Sequence, residues 1–150
     1  MPKDQLQELF RAKKAKAKPA NTNWAAKREA WIKAVNALYK TIGQEYLSAA
    51  KNDVEITQKD AVVTEQYVGE YHIPQLVLQV GDEQVLFSPV GVNVVGAQGR
   101  IDVEGDRGTA TLLWREDGGW NLVVSRVPTL RLVPLNADSL AEILQGIMRP

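Results

Sequence analysis

The densest group of side chains able to do chemistry lies between Gly99 and Gly108, where Asp102, Glu104 and Asp106 fall two residues apart. On a strand that spacing turns Asp102 and Glu104 to one face and Ile101 and Val103 to the other. Oxygen ligands so placed can hold a magnesium or calcium ion, which is the chemistry of a metal-dependent hydrolase. Arg100 shares the face, however, and no lysine lies downstream to complete an acid–lysine site. The competing expectation is a solvated strand face.

His72 is the single histidine, and the chain has no cysteine. Thiolate metal sites, disulfides and cysteine nucleophiles are therefore excluded, and one imidazole is too few for a zinc site. A serine triad would need a nucleophile elbow, and no Gly-x-Ser-x-Gly surrounds Ser48, Ser88, Ser125 or Ser139. The Gly91–Gly99 stretch is glycine-rich, but it lacks a Gly-Lys-Ser/Thr ending and precedes a strand where a phosphate cradle needs a helix. No cofactor motif is present, and none is expected to bind.

The most suggestive feature is a basic arm, Arg11, Lys13, Lys14, Lys16 and Lys18. Such cations contact anionic partners, including phosphate backbones, by releasing counterions. The arm belongs to a wider division of charge. Residues 1–52 hold 11 Lys and Arg against 4 Asp and Glu, or +7, whereas residues 53–150 hold 7 against 14, or −7, and together they give the net charge of +0. The arm has no helix-turn-helix spacing, zinc finger or aromatic ribonucleoprotein strand beside it.

Elements to position these groups follow from periodicity. The order predicts one α+β domain over residues 1–150. It consists of a basic helical arm (1–20), an amphipathic helix (21–52), an antiparallel β-meander forming a curved sheet or open barrel (53–135), and a closing helix (136–150). Leu6, Leu9 and Phe10 have helical spacing and predict a short, weakly docked helix, and Pro19 stops the basic run. Trp31, Val35, Leu38 and Ile42 form the stripe of the main helix, with Ile32, Tyr39 and Tyr46 beside it.

Beyond Asn52 the period becomes two, and seven to nine short strands are expected. Turns are placed at Lys59-Asp60, Gly81-Asp82, Gly105–Gly108 and Asp117–Gly119. Leu76–Leu78 and Leu122–Val124, apolar on both faces, are placed centrally. Leu130–Leu135 is an edge strand holding Pro134. Leu140, Ile143, Leu144 and Ile147 face the core from the last helix, capped by Asn136 or Asp138. A strand-then-helix order of this kind resembles a pleckstrin-like barrel, an analogy of fold that implies no activity.

Trp24 and Trp31 lie on the main helix, and Trp114 and Trp120 flank the Asp117–Gly119 turn as a cross-strand aromatic pair. These four are expected in the core. With no catalytic constellation, the functional expectation is a non-catalytic interaction protein: an adaptor, immunity-type or accessory subunit with a protein partner, free to oligomerise. The alternatives are nucleic-acid binding through the basic arm and the Asp102/Glu104/Asp106 hydrolase. A start without an apolar signal core, and no apolar run of membrane-spanning length, place the expected site of action in the cytoplasm and off the membrane.

Overall fold

A computed structural model describes residues 5–11, 23–92, 97–125 and 128–150. The main helix, α1 (Trp24–Thr41), starts where Asn23 Oδ1 accepts a hydrogen bond from the Ala26 N–H at 2.9 Å, satisfying an otherwise orphaned donor. It continues through a π-helical turn, Ile42–Tyr46, closed by the Leu47 N–H donating to the Ile42 carbonyl at 2.9 Å. A 3₁₀ turn, Ser48–Ala50, follows. Trp31, Val35, Leu38, Tyr39 and Ile42 are buried, so the predicted stripe is the face α1 gives to the core. The extra residue of the π turn re-aims the chain. Beyond it, the Tyr46 hydroxyl reaches the Leu135 carbonyl at 3.4 Å.

Seven antiparallel strands then pair strictly in chain order: β1 (Glu55–Glu65), β2 (Gly69–Val80), β3 (Glu83–Gly91), β4 (Gly99–Gly105), β5 (Gly108–Arg115), β6 (Gly119–Ser125) and β7 (Arg131–Pro134). The sheet stays open, without closure into a barrel, and with the helices it makes the α+β architecture expected. The turns at Gly81-Asp82, Gly105–Gly108 and Asp117–Gly119 form where glycine supply predicted them.

The turn placed at Lys59-Asp60 is corrected. Both residues lie inside β1, with Lys59 opposite Gln75 and Asp60 opposite Pro74. Neither residue has the glycine or proline geometry that forces a reversal, so the strand runs on until Gln66–Val68, where Tyr67 takes φ +69°. Pro74 is tolerated inside β2 because β3 pairs no further along than Leu76. The missing N–H therefore leaves no β3 ladder bond unmade. The Pro74 carbonyl accepts the buried Tyr39 hydroxyl at 2.8 Å. Tyr71 and Ile73 face the core on one side of Pro74, and Leu76 and Leu78 do so on the other. The core-facing parity thus switches across Pro74 and Gln75, and the β1–β2 hairpin bends around α1.

Leu76, Val77 and Leu78 are all buried, as a central strand requires, but the second apolar run differs. Leu122 is buried while Val124 is 53% exposed, because β7 is short and its register slips between Val123 and Ser125.

The closing helix, α2 (Ala137–Ile147), begins with a reciprocal cap. Asn136 Oδ1 accepts from the Ser139 N–H at 2.9 Å, and Ser139 Oγ accepts from the Asn136 N–H at 2.8 Å. Leu140 and Ile147 are buried in the core. At its far end the Ile147 carbonyl accepts the Arg107 N–H at 2.8 Å, and a Cβ on Gly105 would lie 2.4 Å from that oxygen. Only glycine permits this approach. Among the described residues, no helix is long and apolar enough to cross a membrane.

Candidate binding cleft

Register alone places Trp114 directly opposite Trp120 across β5 and β6. Trp31 comes down from α1 onto both, with ring centroids 6.2 Å and 5.7 Å away, and the two strand tryptophans lie 6.4 Å apart. All three pairs are tilted, the arrangement that ring quadrupoles favour. Trp31 is fully buried and its ring rests on Gly99, where an added Cβ would lie 2.2 Å from a ring carbon. Its indole N–H lies near the Tyr71 oxygen but outside hydrogen-bond geometry, so a buried donor goes unpaired.

Trp114 and Trp120 have a second side. Between them and the next face of α1 opens a cleft of about 540 Å³. Ala30, Ala34 and Ala37 form its helical wall, and Trp114, Trp120, Leu38 and Leu135 form the apolar remainder. The small wall leaves room that larger residues would fill. Lys33 and Glu116 bring opposite charges to the lining. The helical wall from Ala30 to Thr41 runs about 17 Å at 1.5 Å per residue. Sequence reasoning identified the tryptophans and missed the cleft. The available signal was alanine at 30, 34 and 37, a helical row beside the apolar stripe.

The carboxylates named as candidate ligands are not brought together. Arg100 holds Asp102 with two hydrogen bonds, Nε to Oδ1 at 2.8 Å and a terminal nitrogen to Oδ2 at 3.2 Å. Asp106 lies 2.9 Å from the Arg149 guanidinium, and Glu104 faces solvent. Among the described residues no three acidic or histidine side chains form a group able to hold a metal ion.

Arg149 ties Asp106 to Asp82, at 3.1 Å, and its backbone N–H donates to the buried Glu83 carboxylate at 2.7 Å. The surrounding Asp82 and Glu83 charges raise the Arg149 pKa above its ordinary value. These contacts join the chain end to two hairpins.

His72 is an exposed residue of β2, with Nδ1 2.8 Å from Asp60 Oδ2 on the neighbouring strand of the hairpin. Ser48 donates to the Glu45 carbonyl, Ser88 accepts from Gln75, and Ser139 serves the α2 cap. The glycine stretch is pinned from both ends. Glu65 accepts from the Val92 N–H at 2.9 Å and from the Tyr71 hydroxyl through a short bond, and the Gln98 N–H donates to the Trp114 carbonyl at 2.8 Å. Burial, then the Glu65 hydrogen bond and charge, push the Tyr71 phenol well above its usual pKa, so it remains a donor. Residues 93–96 lie outside the described residues.

Arg11 is exposed at the end of the helical stretch 5–11, whereas Lys13, Lys14, Lys16 and Lys18 lie outside the described residues. The weak docking expected for this helix is not seen, since Leu6 and Leu9 are 49% exposed and Phe10 is 60% exposed. Trp24 stacks on Tyr67 at 5.8 Å, with the Lys27 ammonium 5.1 Å from its ring.

The chain matches no family model, no curated protein and no solved structure.

Proposed function

We propose that the protein is a non-catalytic binding module, an accessory or adaptor subunit that takes an amphipathic helix of a partner protein into the cleft between α1 and the β5–β6 hairpin. The observation that carries this reading is the pairing of an alanine wall with a tryptophan floor. A rigid aromatic surface beside small residues accepts bulky apolar anchors, and three helical turns of wall match anchors spaced i, i+3/i+4 and i+7. The groups that might have done chemistry are engaged elsewhere: Asp102 by Arg100, Asp106 by Arg149 and Ser139 in a cap. The absence of cysteine fits action in a reducing compartment such as the cytoplasm.

The test is partner capture by the intact protein and by Ala34→Arg, which fills the cleft from a half-buried position in its helical wall. The wild type is expected to retain a partner that Ala34→Arg loses, with the two proteins melting at the same temperature. Equal retention by both would reject the cleft, and turnover of a small molecule without any partner would reject the non-catalytic reading.

A further inference from the structure

The two edges of the sheet are guarded very differently. β7 is short, holds Pro134 and meets β6 through a register shift, all of which discourage a further strand. β1 runs from Glu55 to Glu65 without proline or glycine, and its register with β2 never breaks.

Pairing fixes which backbone groups of β1 face outward. Val80 and Glu83 close the two-residue turn at Gly81-Asp82, so they exchange both hydrogen bonds of a narrow pair. Alternation then directs Gln79, Val77, Gln75 and Ile73 toward β1, where they meet Glu55, Thr57, Lys59 and Ala61. Pro74, with no N–H to give, falls in the other set. The N–H and C=O groups of Ile56, Gln58, Asp60, Val62 and Thr64 therefore point away from β2. Among the described residues, no backbone hydrogen bond reaches them from outside the sheet.

We infer that this edge binds a second copy of the chain: two β1 strands pair antiparallel about a two-fold axis through Val62, joining the sheets of two protomers. Charge selects that centre. Within β1, only two centres set Lys59 against a carboxylate of the second copy. Centring on Thr57 matches Lys59 with Glu55 but pairs only residues 55–59. Centring on Val62 pairs residues 59–65, with Lys59 opposite Glu65 and Asp60 opposite Thr64, each twice. Centring on Asp60 would oppose Asp60 to its own copy and Glu55 to Glu65, and centring on Lys59 would oppose two lysines.

The local structure agrees with this choice. The hairpin bends where Lys59 and Asp60 meet Gln75 and Pro74, and the Val62 centre keeps the new seam to one side of that bend. Val62 is 52% exposed and is covered by its counterpart. Glu65 is held in place by the Val92 N–H and the Tyr71 hydroxyl, so the lysine meets a fixed carboxylate. None of the residues lining the cleft lies on β1, which makes the seam and the cleft separate surfaces.

A seam of one strand pair is small, so the dimer is weak and forms at submillimolar protein. Sedimentation equilibrium of the full chain from micromolar to submillimolar concentration is expected to show a monomer–dimer equilibrium. A monomer throughout would overturn the inference. Val62→Pro removes an outward N–H and no bond to β2, so it should abolish the dimer while circular dichroism and melting temperature stay near wild type. Exposed Thr64 tests the register. Thr64→Lys, opposite Asp60 of the second copy, should tighten the dimer about threefold or more, and Thr64→Asp should weaken it by a similar factor. A dimer that survives Val62→Pro, or that responds alike to both charges at residue 64, would overturn the inference. Ala34→Arg should leave the dimer unchanged; a dimer that it dissolves would move the self-contact to the cleft and overturn the role of β1.

Discussion

Removing the Trp31 ring tests the core on which the cleft is built. Trp31 is fully buried, and its ring touches Trp114, Trp120 and the Gly99 backbone. Truncation of such a residue to alanine costs about 3–5 kcal/mol through lost burial and the cavity left behind. Two tilted aromatic contacts, each worth roughly 0.5–1.5 kcal/mol beyond area, place Trp31→Ala toward the upper end. Trp31→Phe should behave quite differently. It keeps a ring between Trp114 and Trp120, and it removes an indole N–H whose unpaired burial costs about 1–3 kcal/mol. That relief offsets much of the lost ring area, so the variant should lie within about 1.5 kcal/mol of wild type. Urea unfolding followed by far-UV circular dichroism measures both, with equal m-values as the condition for comparison. Near-UV dichroism should lose the Trp31 share of its coupled-indole signal in both variants, while the Trp114–Trp120 pair keeps its own. If Trp31→Phe is as destabilising as Trp31→Ala, or if Trp31→Ala costs less than about 1.5 kcal/mol, the tryptophan cluster is not the centre of the core.

Gly99→Ala should destabilise by about 1–3 kcal/mol, since the new methyl meets the Trp31 ring. In a Trp31→Leu background that cost should shrink, and a double-mutant cycle by urea unfolding measures the coupling. Tyr39 and Tyr71 have folded pKa values raised above 10.0 mainly by burial, so the unfolded chain releases these protons first. Their contribution is complete below pH 10.0 and is lost as pH rises above it, by up to about 1.4 kcal/mol per group per pH unit. Alkaline titration with absorbance and dichroism together should show the phenolates of Tyr39 and Tyr71 appearing only as the protein unfolds. Arg149→Met should free the end of α2 by removing the guanidinium that joins Asp82 and Asp106, leaving the buried Glu83 carboxylate only the backbone N–H of residue 149. A lower urea midpoint and faster hydrogen exchange at the Arg107 amide would show it, and unchanged exchange would refute the role given to Arg149.

The parts of the fold legible in the sequence were those governed by local rules. The stripe Trp31, Val35, Leu38 and Ile42 marks a helix face without help from the rest of the chain, and Gly81, Gly105 and Gly119 stand where reversals need them. Lys59-Asp60 misled because polar residues on an exposed, bending hairpin resemble a turn, while the reversal at Gln66–Val68 carries its glycine only afterward, at Gly69. The tryptophan pair across β5 and β6 was visible from its turn. The contact of Trp31 with that pair was not, because docking a helix on a sheet is set by tertiary packing between residues more than eighty positions apart. The cleft was hidden for the same reason. Alanine is a good helix former anywhere, and only the neighbouring sheet turns its smallness into space.

The strictly sequential strand order also has a consequence during synthesis. Each hairpin joins neighbours in the chain, so the meander can zip together step by step from short-range pairings. The helix that seals it is made first, and its landing surface, Trp114 and Trp120, is made almost last. While the ribosome still holds the chain short of β6, Trp31 lacks its tryptophan cover even though Tyr39 can already reach β2, a state in which chains are prone to aggregate. Nascent chains halted after Gly105 should therefore be cut by protease within α1, whereas chains extended through Pro134 should resist.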